Sequence, residues 1–278
     1  MLTITWLELY KVFTRPRSYI GFLAIIIFVA FTHIAVYMEG QEILDFLTQN
    51  LEDVFTLQGN LINGYMVTYL VLNFMWVHIP LLIVLVTGDL FSGESHNGTF
   101  RLLLTRPVSR TKLVNAKFIA ASLYTGALVL FLGLFSLPLG LVVFGKGDLM
   151  VLLETLNIIP QDELMMRFTV AFAFGLLSMI TVASLSLMLS SFSDSSIGPI
   201  LLTIAIIILL TLVSSINLKI FNLIRPFLFT SYLNSWMYLF RFDIQPMMLL
   251  RDASVLVVHI VVFYFVTWYH FNRKDVLS

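Results

Sequence analysis

Residues 118–144 read FIAASLYTGALVLFLGLFSLPLGLVVF and contain no Asp, Glu, Lys or Arg. A helix needs roughly 20 mostly apolar residues to cross a hydrocarbon core of about 30 Å. A strand of an outer-membrane barrel needs only about 10 residues, with apolar and polar positions alternating. The stretch is longer than a helical span requires and is apolar on every face. It therefore predicts a membrane-spanning α-helix.

The composition of the whole chain agrees with a membrane protein. Of the 278 residues, 59% are hydrophobic and only 12% are charged. A soluble domain carries about twice that share of charge, so the composition excludes a free globular enzyme, a disordered chain and a secreted disulfide domain. The net charge of zero argues against nucleic acid as a partner. The lack of cysteine excludes disulfides, thiolate metal sites and cysteine nucleophiles.

Further stretches have the length and composition of membrane spans, at residues 19–38, 65–88, 168–190, 197–216 and 253–271. Together with residues 118–144 they predict six transmembrane helices. The sequence therefore predicts an all-α membrane protein, with residues 1–278 forming a single transmembrane domain.

The distribution of Lys and Arg predicts the orientation of the six spans. The side with both termini carries Lys11, Arg15, Arg17, Arg101, Arg106, Arg110, Lys112, Lys117, Arg273 and Lys274. The other side carries Lys146, Arg167, Lys219, Arg225, Arg241 and Arg251. Positive residues remain in the cytoplasm. We therefore expect a multi-pass protein of the inner, cytoplasmic membrane with both termini in the cytoplasm.

Residues 1–17 precede the first span and have an amphipathic pattern. At 100° per residue, Leu2, Trp6 and Tyr10 share one arc of a helix, and Glu8, Lys11 and Arg15 share the opposite arc. This pattern is typical of a helix lying in the membrane interface. The alternative is a first turn of an extended span 1, but Pro16 favours a break because the residue before proline avoids the helical region.

Two segments on the outer side are more than plain linkers. Residues 148–159, DLMVLLETLNII, predict a short apolar helix. Residues 217–252 are rich in aromatic side chains and are interrupted by Pro226 and Pro246. Because Trp and Tyr prefer the level of the lipid headgroups, this segment predicts a re-entrant or interfacial element between spans 5 and 6.

The predicted spans contain little that is suited to chemistry. None carries Asp, Glu, Lys or Arg in its middle, whereas ion-coupled carriers generally place such groups there. His33, His78, His259 and His270 are scattered, and we interpret each as a helix–helix hydrogen bond or an interfacial residue. Residues 140–147 resemble a phosphate-binding loop but have Gly147 where Ser or Thr is needed. We expect no catalytic residue, metal or cofactor.

The link between spans 2 and 3 has the most distinctive sequence on the cytoplasmic side. It combines Glu94, Gly98-Thr99, the apolar run 102–104, Pro107 and several basic residues. One interpretation is a loop whose positive charge only fixes the topology. Three consecutive leucines favour another, a short coupling helix that docks its apolar side into a second protein.

At this link the sequence resembles the permease subunits of ABC-2-type ABC transporters. The family pattern is an acid, then Gly-Thr, Leu-Leu-Leu, Pro-x-Ser-Arg and a Lys in the next helix. It stands here as Glu94, Gly98-Thr99, Leu102-Leu103-Leu104, Pro107-Val108-Ser109-Arg110 and Lys117. The resemblance implies a coupling region formed by Glu94, Gly98, Thr99, Arg101, Leu102, Leu103, Arg106, Pro107 and Arg110. It also makes residues 1–17, with Glu8, Lys11 and Arg15, the connecting helix beside that region.

The resemblance also implies a function. We expect a subunit that exports an amphipathic, lipid-like, peptide or drug substrate, driven by ATP hydrolysis in two copies of a separate ATPase subunit. Its membrane partner would be a second copy of itself or a homologous permease. The alternatives are an ATP-independent carrier or channel, which would need an essential membrane histidine, and a membrane enzyme acting on lipid, which would need a polar cluster at one membrane face.

Overall fold

The computed structural model describes residues 1–48, 61–99, 109–153, 155–216 and 218–274, without the side chains of 43–48. It is mostly helical. The α-helices are α1 (Leu2–Thr14), α2 (Arg17–Thr48), α3 (Gly64–Thr87), α4 (Ser92–His96), α5 (Arg110–Phe144), α6 (Gln161–Phe192), α7 (Gly198–Ser215), α8 (Lys219–Ile224) and α9 (Pro246–Arg273). The strands are β1 (Leu149–Leu152) and β2 (Leu156–Ile159). Short 3-10 helices lie between α8 and α9, at Arg225–Phe227, Phe229–Ser231 and Ser235–Phe240.

Within the described residues, six helices are long and apolar enough to cross a membrane: α2, α3, α5, α6, α7 and α9. They coincide with the six predicted spans, so the prediction of six helices suited to cross a membrane, and their order, is confirmed. α6 lies at the centre and packs against α3, α5, α7 and α9. We call one end of the bundle the base. It consists of α1, α4, the first turn of α5, the α6–α7 turn and the last turn of α9.

The prediction of a helix at residues 148–159 was wrong, so the chain is not purely α-helical. β1 and β2 form an antiparallel hairpin with Leu149 opposite Ile159 and Leu152 opposite Leu156. Leu149, Val151 and Ile159 are buried, whereas Leu152 and Ile158 are exposed. A strand covers one face in this way, whereas a helix of the same residues would expose apolar side chains all round. We call this end of the bundle the hairpin end.

α3 and α5 cross with their backbones in close contact near the hairpin end. A Cβ atom at Gly64 would lie 2.5 Å from the backbone of Gly140, so only glycine fits there. The side chain of Asn63 caps α3 by accepting hydrogen bonds from the backbone N–H groups of Tyr65 and Met66. Small residues allow helices to approach in this way in membranes.

The surface of the bundle is apolar, and its mainly apolar interior also contains buried hydroxyl groups. Large apolar side chains such as Leu23, Phe31, Val77 and Leu134 are more than half exposed. The hydroxyl residues Thr68, Thr125, Ser178, Thr203 and Thr267 are fully buried. A water-soluble protein rarely exposes so many large apolar side chains together, so this surface suits a hydrocarbon environment.

The segment between α7 and α9 packs deep against the bundle. α7 has 18 residues and is about 27 Å long, whereas α6 has 32 residues and is about 48 Å long. The backbone oxygen of Leu233 accepts hydrogen bonds from Trp76 Nε1 at 3.2 Å and Ser178 Oγ at 3.3 Å. Trp236 is buried with its ring 5.2 Å from that of Trp76. The segment therefore lies beside the middle of α3 and α6.

Candidate coupling site at the base

α1 is a separate helix at the base with two different sides. It ends at Thr14, and Arg15 has an extended backbone conformation before Pro16. Leu2 and Trp6 are 88% and 69% exposed, whereas Glu8 is 2% exposed. The apolar side of α1 is therefore turned outward, and its acidic side chain is buried against the bundle.

Glu8 belongs to a closed set of four charges that we call the four-charge ring. Lys11 Nζ lies 2.7 Å from Glu8 Oε1 and 2.7 Å from Glu94 Oε1. Lys117 Nζ lies 2.8 Å from Glu8 Oε2 and 2.8 Å from Glu94 Oε2. Each carboxylate meets both ammonium groups, so the net charge is zero. The ring joins α1, α4 and α5.

The environment of the ring keeps Glu8 and Lys11 charged. Burial raises the pKa of Glu8, but the ammonium groups of Lys117 and Lys11 outweigh it, so the pKa lies below its ordinary value. Burial lowers the pKa of Lys11, but Glu94 and Glu8 outweigh it, so this pKa lies above its ordinary value. Isolated charges would be costly in so buried a place. The four side chains can therefore be buried together between α1, α4 and α5 only because their charges compensate one another.

A second ionic cluster fastens the start of α2 to the end of α3. Asp89 is 1% exposed, and its Oδ2 accepts from Arg15 Nη1 at 2.6 Å and also pairs with Arg17. Its Oδ1 accepts a hydrogen bond from the hydroxyl of Ser196 in the α6–α7 turn. Gly93 leaves the space that this carboxylate fills, because a Cβ atom there would lie 2.4 Å from Asp89 Oδ1.

α4 is anchored on α6 as well. Ser190 Oγ accepts hydrogen bonds from the backbone N–H groups of Phe91 at 3.1 Å and Ser92 at 3.0 Å, at the first turn of α4. Backbone N–H groups at a helix start lack helical partners, and a hydroxyl group satisfies two of them here. On the exposed side, Ser95 Oγ donates to Asp194 Oδ1 at 2.5 Å, and Lys274 Nζ donates to the same oxygen at 2.7 Å.

Arg110, the first residue of α5, binds the end of α9. Its Nη1 lies 3.2 Å from the carbonyl oxygen of Phe271, 3.0 Å from that of Asn272 and 2.6 Å from that of Lys274. The last carbonyl groups of a helix lack partners within it, and a cation there also offsets the negative end of the helix dipole. Arg110 thus ties α5 to α9.

The structure brings several of the predicted coupling residues together. Glu8, Lys11 and Glu94 meet in the four-charge ring, and Arg15 reaches Asp89 close by. Gly98 is exposed with a φ of 66°, and Thr99 Oγ1 donates to the backbone oxygen of Glu94 at 3.1 Å. The remaining predicted coupling residues lie outside the described residues: Arg101, Leu102, Leu103, Arg106 and Pro107.

Sequence reasoning missed three charged residues as members of this site. Asp89 and Arg17 were not assigned a role, and Lys117 appeared only as the last position of the family pattern. A signal was present for Lys117, since a lone cation early in a long apolar helix needs a buried counter-charge. No comparable signal marks Asp89. No group of three His, Cys, Asp or Glu side chains suited to a metal ion occurs within the described ranges.

Two comparisons with known proteins bear on this arrangement. A family profile described as ABC-2 family transporter protein matches residues 2–276. The chain is also 28% identical over 121 residues to "Uncharacterized protein YhcI" of Bacillus subtilis (strain 168), covering 41% of this chain and 38% of that protein. The chain thus spans about two fifths of the length of the curated relative it matches. Because the family profile covers nearly the whole chain, this protein belongs to the ABC-2 family of transporter proteins, whose members are multi-pass membrane permeases.

Proposed function

We propose that the chain is the permease subunit of an ABC exporter and that a separate ATPase subunit drives it from the base. In the proposed complex two copies of the permease and two ATPase chains form the transporter. The base faces the cytoplasm of the inner membrane, as the distribution of Lys and Arg predicts. The cargo is an amphipathic, lipid-like, peptide or drug molecule.

The observation that carries this proposal is that both ends of the link between α4 and α5 are fixed. Before the link, Glu94 is held by the four-charge ring and the start of α4 by Ser190. After it, Arg110 is held by the carbonyl groups at the end of α9. Because both of its ends are fixed, a force that the ATPase exerts on the link would be transmitted to the bundle. Its leucines, Leu102 and Leu103, would supply the apolar contact with the ATPase.

The base offers a direct route for such a push. The four-charge ring connects α4 to α1 and α5, and Asp89 connects the end of α3 to the start of α2 and the α6–α7 turn. A force on the link would therefore reach α5, α2 and α3 through ionic contacts, and the α6–α7 turn through the hydrogen bond from Ser196. The segment between α7 and α9, whose Trp236 packs against Trp76 of α3, would be a re-entrant element on the outer side.

The test is co-purification of the ATPase subunit with paired leucine variants. We expect Leu102→Asp combined with Leu103→Asp to abolish both co-purification and the ATPase activity of the complex. The matched control is Leu152→Asp combined with Ile158→Asp, which places the same two charges on exposed apolar residues at the hairpin end. It should leave both intact. Equal recovery of the ATPase from all variants, or none from the unaltered protein, would refute the proposal and favour an ATP-independent carrier or channel.

A further inference from the structure

The turn between α1 and α2 holds an ionic cluster whose charges do not balance. Arg15 Nη1 lies 2.6 Å from Asp89 Oδ2, and Arg17 pairs with the same oxygen. The other carboxylate oxygen accepts from Ser196, which is neutral. Within the described residues no second acid contacts either arginine. The cluster therefore has a net charge of one positive unit, whereas the four-charge ring has none.

The positive charge of this cluster faces outward and its negative charge does not. The side chains of Arg15 and Arg17 are 32% and 30% exposed, whereas that of Asp89 is 2% exposed. A guanidinium group has five N–H donors, and one nitrogen of each group contacts Asp89. The buried carboxylate thus holds both groups in place and leaves donors available for a second anion.

The same turn lies at the boundary between apolar and polar surface. The hydroxyl of Tyr19 donates to the backbone oxygen of Phe13 across the turn at 2.8 Å, and Tyr19 is 54% exposed. Ile20, three positions after Arg17 and therefore its neighbour on α2, is 48% exposed. Trp6 of α1 is 69% exposed. Because Tyr and Trp prefer the level of the lipid headgroups, the turn lies at the level of the lipid phosphates.

We propose that Arg15 and Arg17 bind the phosphate group of an anionic phospholipid whose acyl chains lie beside α2. The inference goes beyond the proposed function, because it concerns the surrounding lipid and holds whether or not an ATPase drives the permease. A phosphate with one negative charge balances the cluster, and its oxygens accept charge-assisted hydrogen bonds from guanidinium groups. The cytoplasmic leaflet, which the base is proposed to face, contains anionic lipids.

The first test compares two lipids on the unaltered protein. The full-length protein, purified in a neutral detergent, is titrated with phosphatidylglycerol or with phosphatidylcholine of the same acyl chains, and native mass spectrometry measures the bound lipid. Phosphatidylglycerol has one net negative charge, whereas phosphatidylcholine also carries a cation and has none. We therefore expect phosphatidylglycerol to bind at least about tenfold more tightly. Equal affinities would overturn the inference without any variant.

The second test assigns the binding to the turn. Arg17→Gln leaves Arg15 and Asp89 as a neutral pair, and we expect it to weaken phosphatidylglycerol binding at least about tenfold. The matched control is Arg273→Gln, which removes the same charge from an exposed arginine at the base that stacks on Tyr269. It should weaken binding less than about twofold. An equal loss in both variants would show general attraction by the basic surface and overturn the site.

A conservative variant covers the case in which Arg17→Gln does not fold, as its melting temperature would show. Arg17→Lys keeps the charge but lacks the planar fork that matches a phosphate, so we expect it to weaken phosphatidylglycerol binding about threefold or more. Unchanged affinity in Arg17→Lys would then overturn the inference.

A free phosphate ion has the same chemistry as the lipid phosphate, and competition separates the two. We expect a large excess of inorganic phosphate to leave phosphatidylglycerol bound, because the ion has no acyl chains to contact exposed residues such as Ile20 and Leu23. Displacement of the lipid would overturn the lipid assignment. Because no ATPase takes part in these measurements, their failure leaves the proposed function intact, and failure of ATPase co-purification leaves this inference intact.

Discussion

Replacing Lys117 with methionine removes a fully buried ammonium group from the four-charge ring. Its Nζ lies 2.8 Å from each of three oxygens, on Glu8, Glu94 and the backbone of Leu90. Methionine keeps the length and the apolar stem but leaves two carboxylates to share Lys11. Removing one partner of a buried ion pair costs about 3–5 kcal/mol. Because Lys11 still compensates in part, we expect a loss of about 3 kcal/mol.

Thermal unfolding of the purified protein in nanodiscs measures this loss. At about 2–4 °C per kcal/mol, Lys117→Met should lower the melting temperature by about 6–12 °C. The matched control is Lys274→Met, which breaks the contact with Asp194, whose side chain is 73% exposed. An exposed ion pair contributes at most about 1 kcal/mol to stability, so the melting temperature of the control should fall by only a few degrees.

A second substitution tests the electrostatic cause. Adding Glu94→Gln to Lys117→Met leaves Glu8 and Lys11 as a neutral pair, and we expect it to recover at least half of the lost stability. The reasoning is wrong if Lys117→Met is no less stable than Lys274→Met. It is also wrong if the double variant is less stable than Lys117→Met alone, because the loss would then come from packing.

Three further outcomes are expected from the base. Because the pKa of Glu8 is lowered on folding, its contribution to stability is complete above its unfolded pKa and lost as pH falls through the folded pKa, so Glu8→Gln should flatten the acid side of a plot of melting temperature against pH. Gly93→Ala should cost about 1–3 kcal/mol through the clash with Asp89, whereas Gly126→Ala, whose Cβ would meet a single neighbour at 3.8 Å, should be neutral or stabilising, and thermal unfolding compares the two. Arg110→Ala removes the donor to all three carbonyl groups at the end of α9, so hydrogen exchange there should accelerate about fivefold or more, and unchanged exchange would show that the clamp contributes nothing.

The spans were predictable because a single physical requirement determines them. A run such as residues 118–144 can only be a helix in hydrocarbon, and the structure has α5 there. The break between α1 and α2 followed from Pro16 in the same way. Both are local properties of the chain, and periodicity and proline chemistry report on local properties.

The errors occurred where distant contacts decide the structure. Residues 148–159 are apolar enough for a helix, yet they form a hairpin because Asn63 binds the backbone of Asp148 and Asn157 binds that of Phe242. Short apolar runs do not distinguish helix from strand by pattern alone. The four-charge ring was missed for the same reason, since Glu8 and Lys117 are separated by 109 positions in the chain.

That separation has a consequence for biosynthesis. α1 leaves the ribosome before α4 and α5, and Glu94 follows Lys11 by 83 residues and Lys117 follows Glu8 by 109. At about 5–20 residues per second, Glu8 waits roughly 5–20 seconds for its last counter-charge. During that time the apolar side of α1 can contact the headgroup region, and Glu8 has only Lys11 of the same helix as a counter-charge. α1 is thus made well before α5 but can complete its docking only when α5 has been inserted.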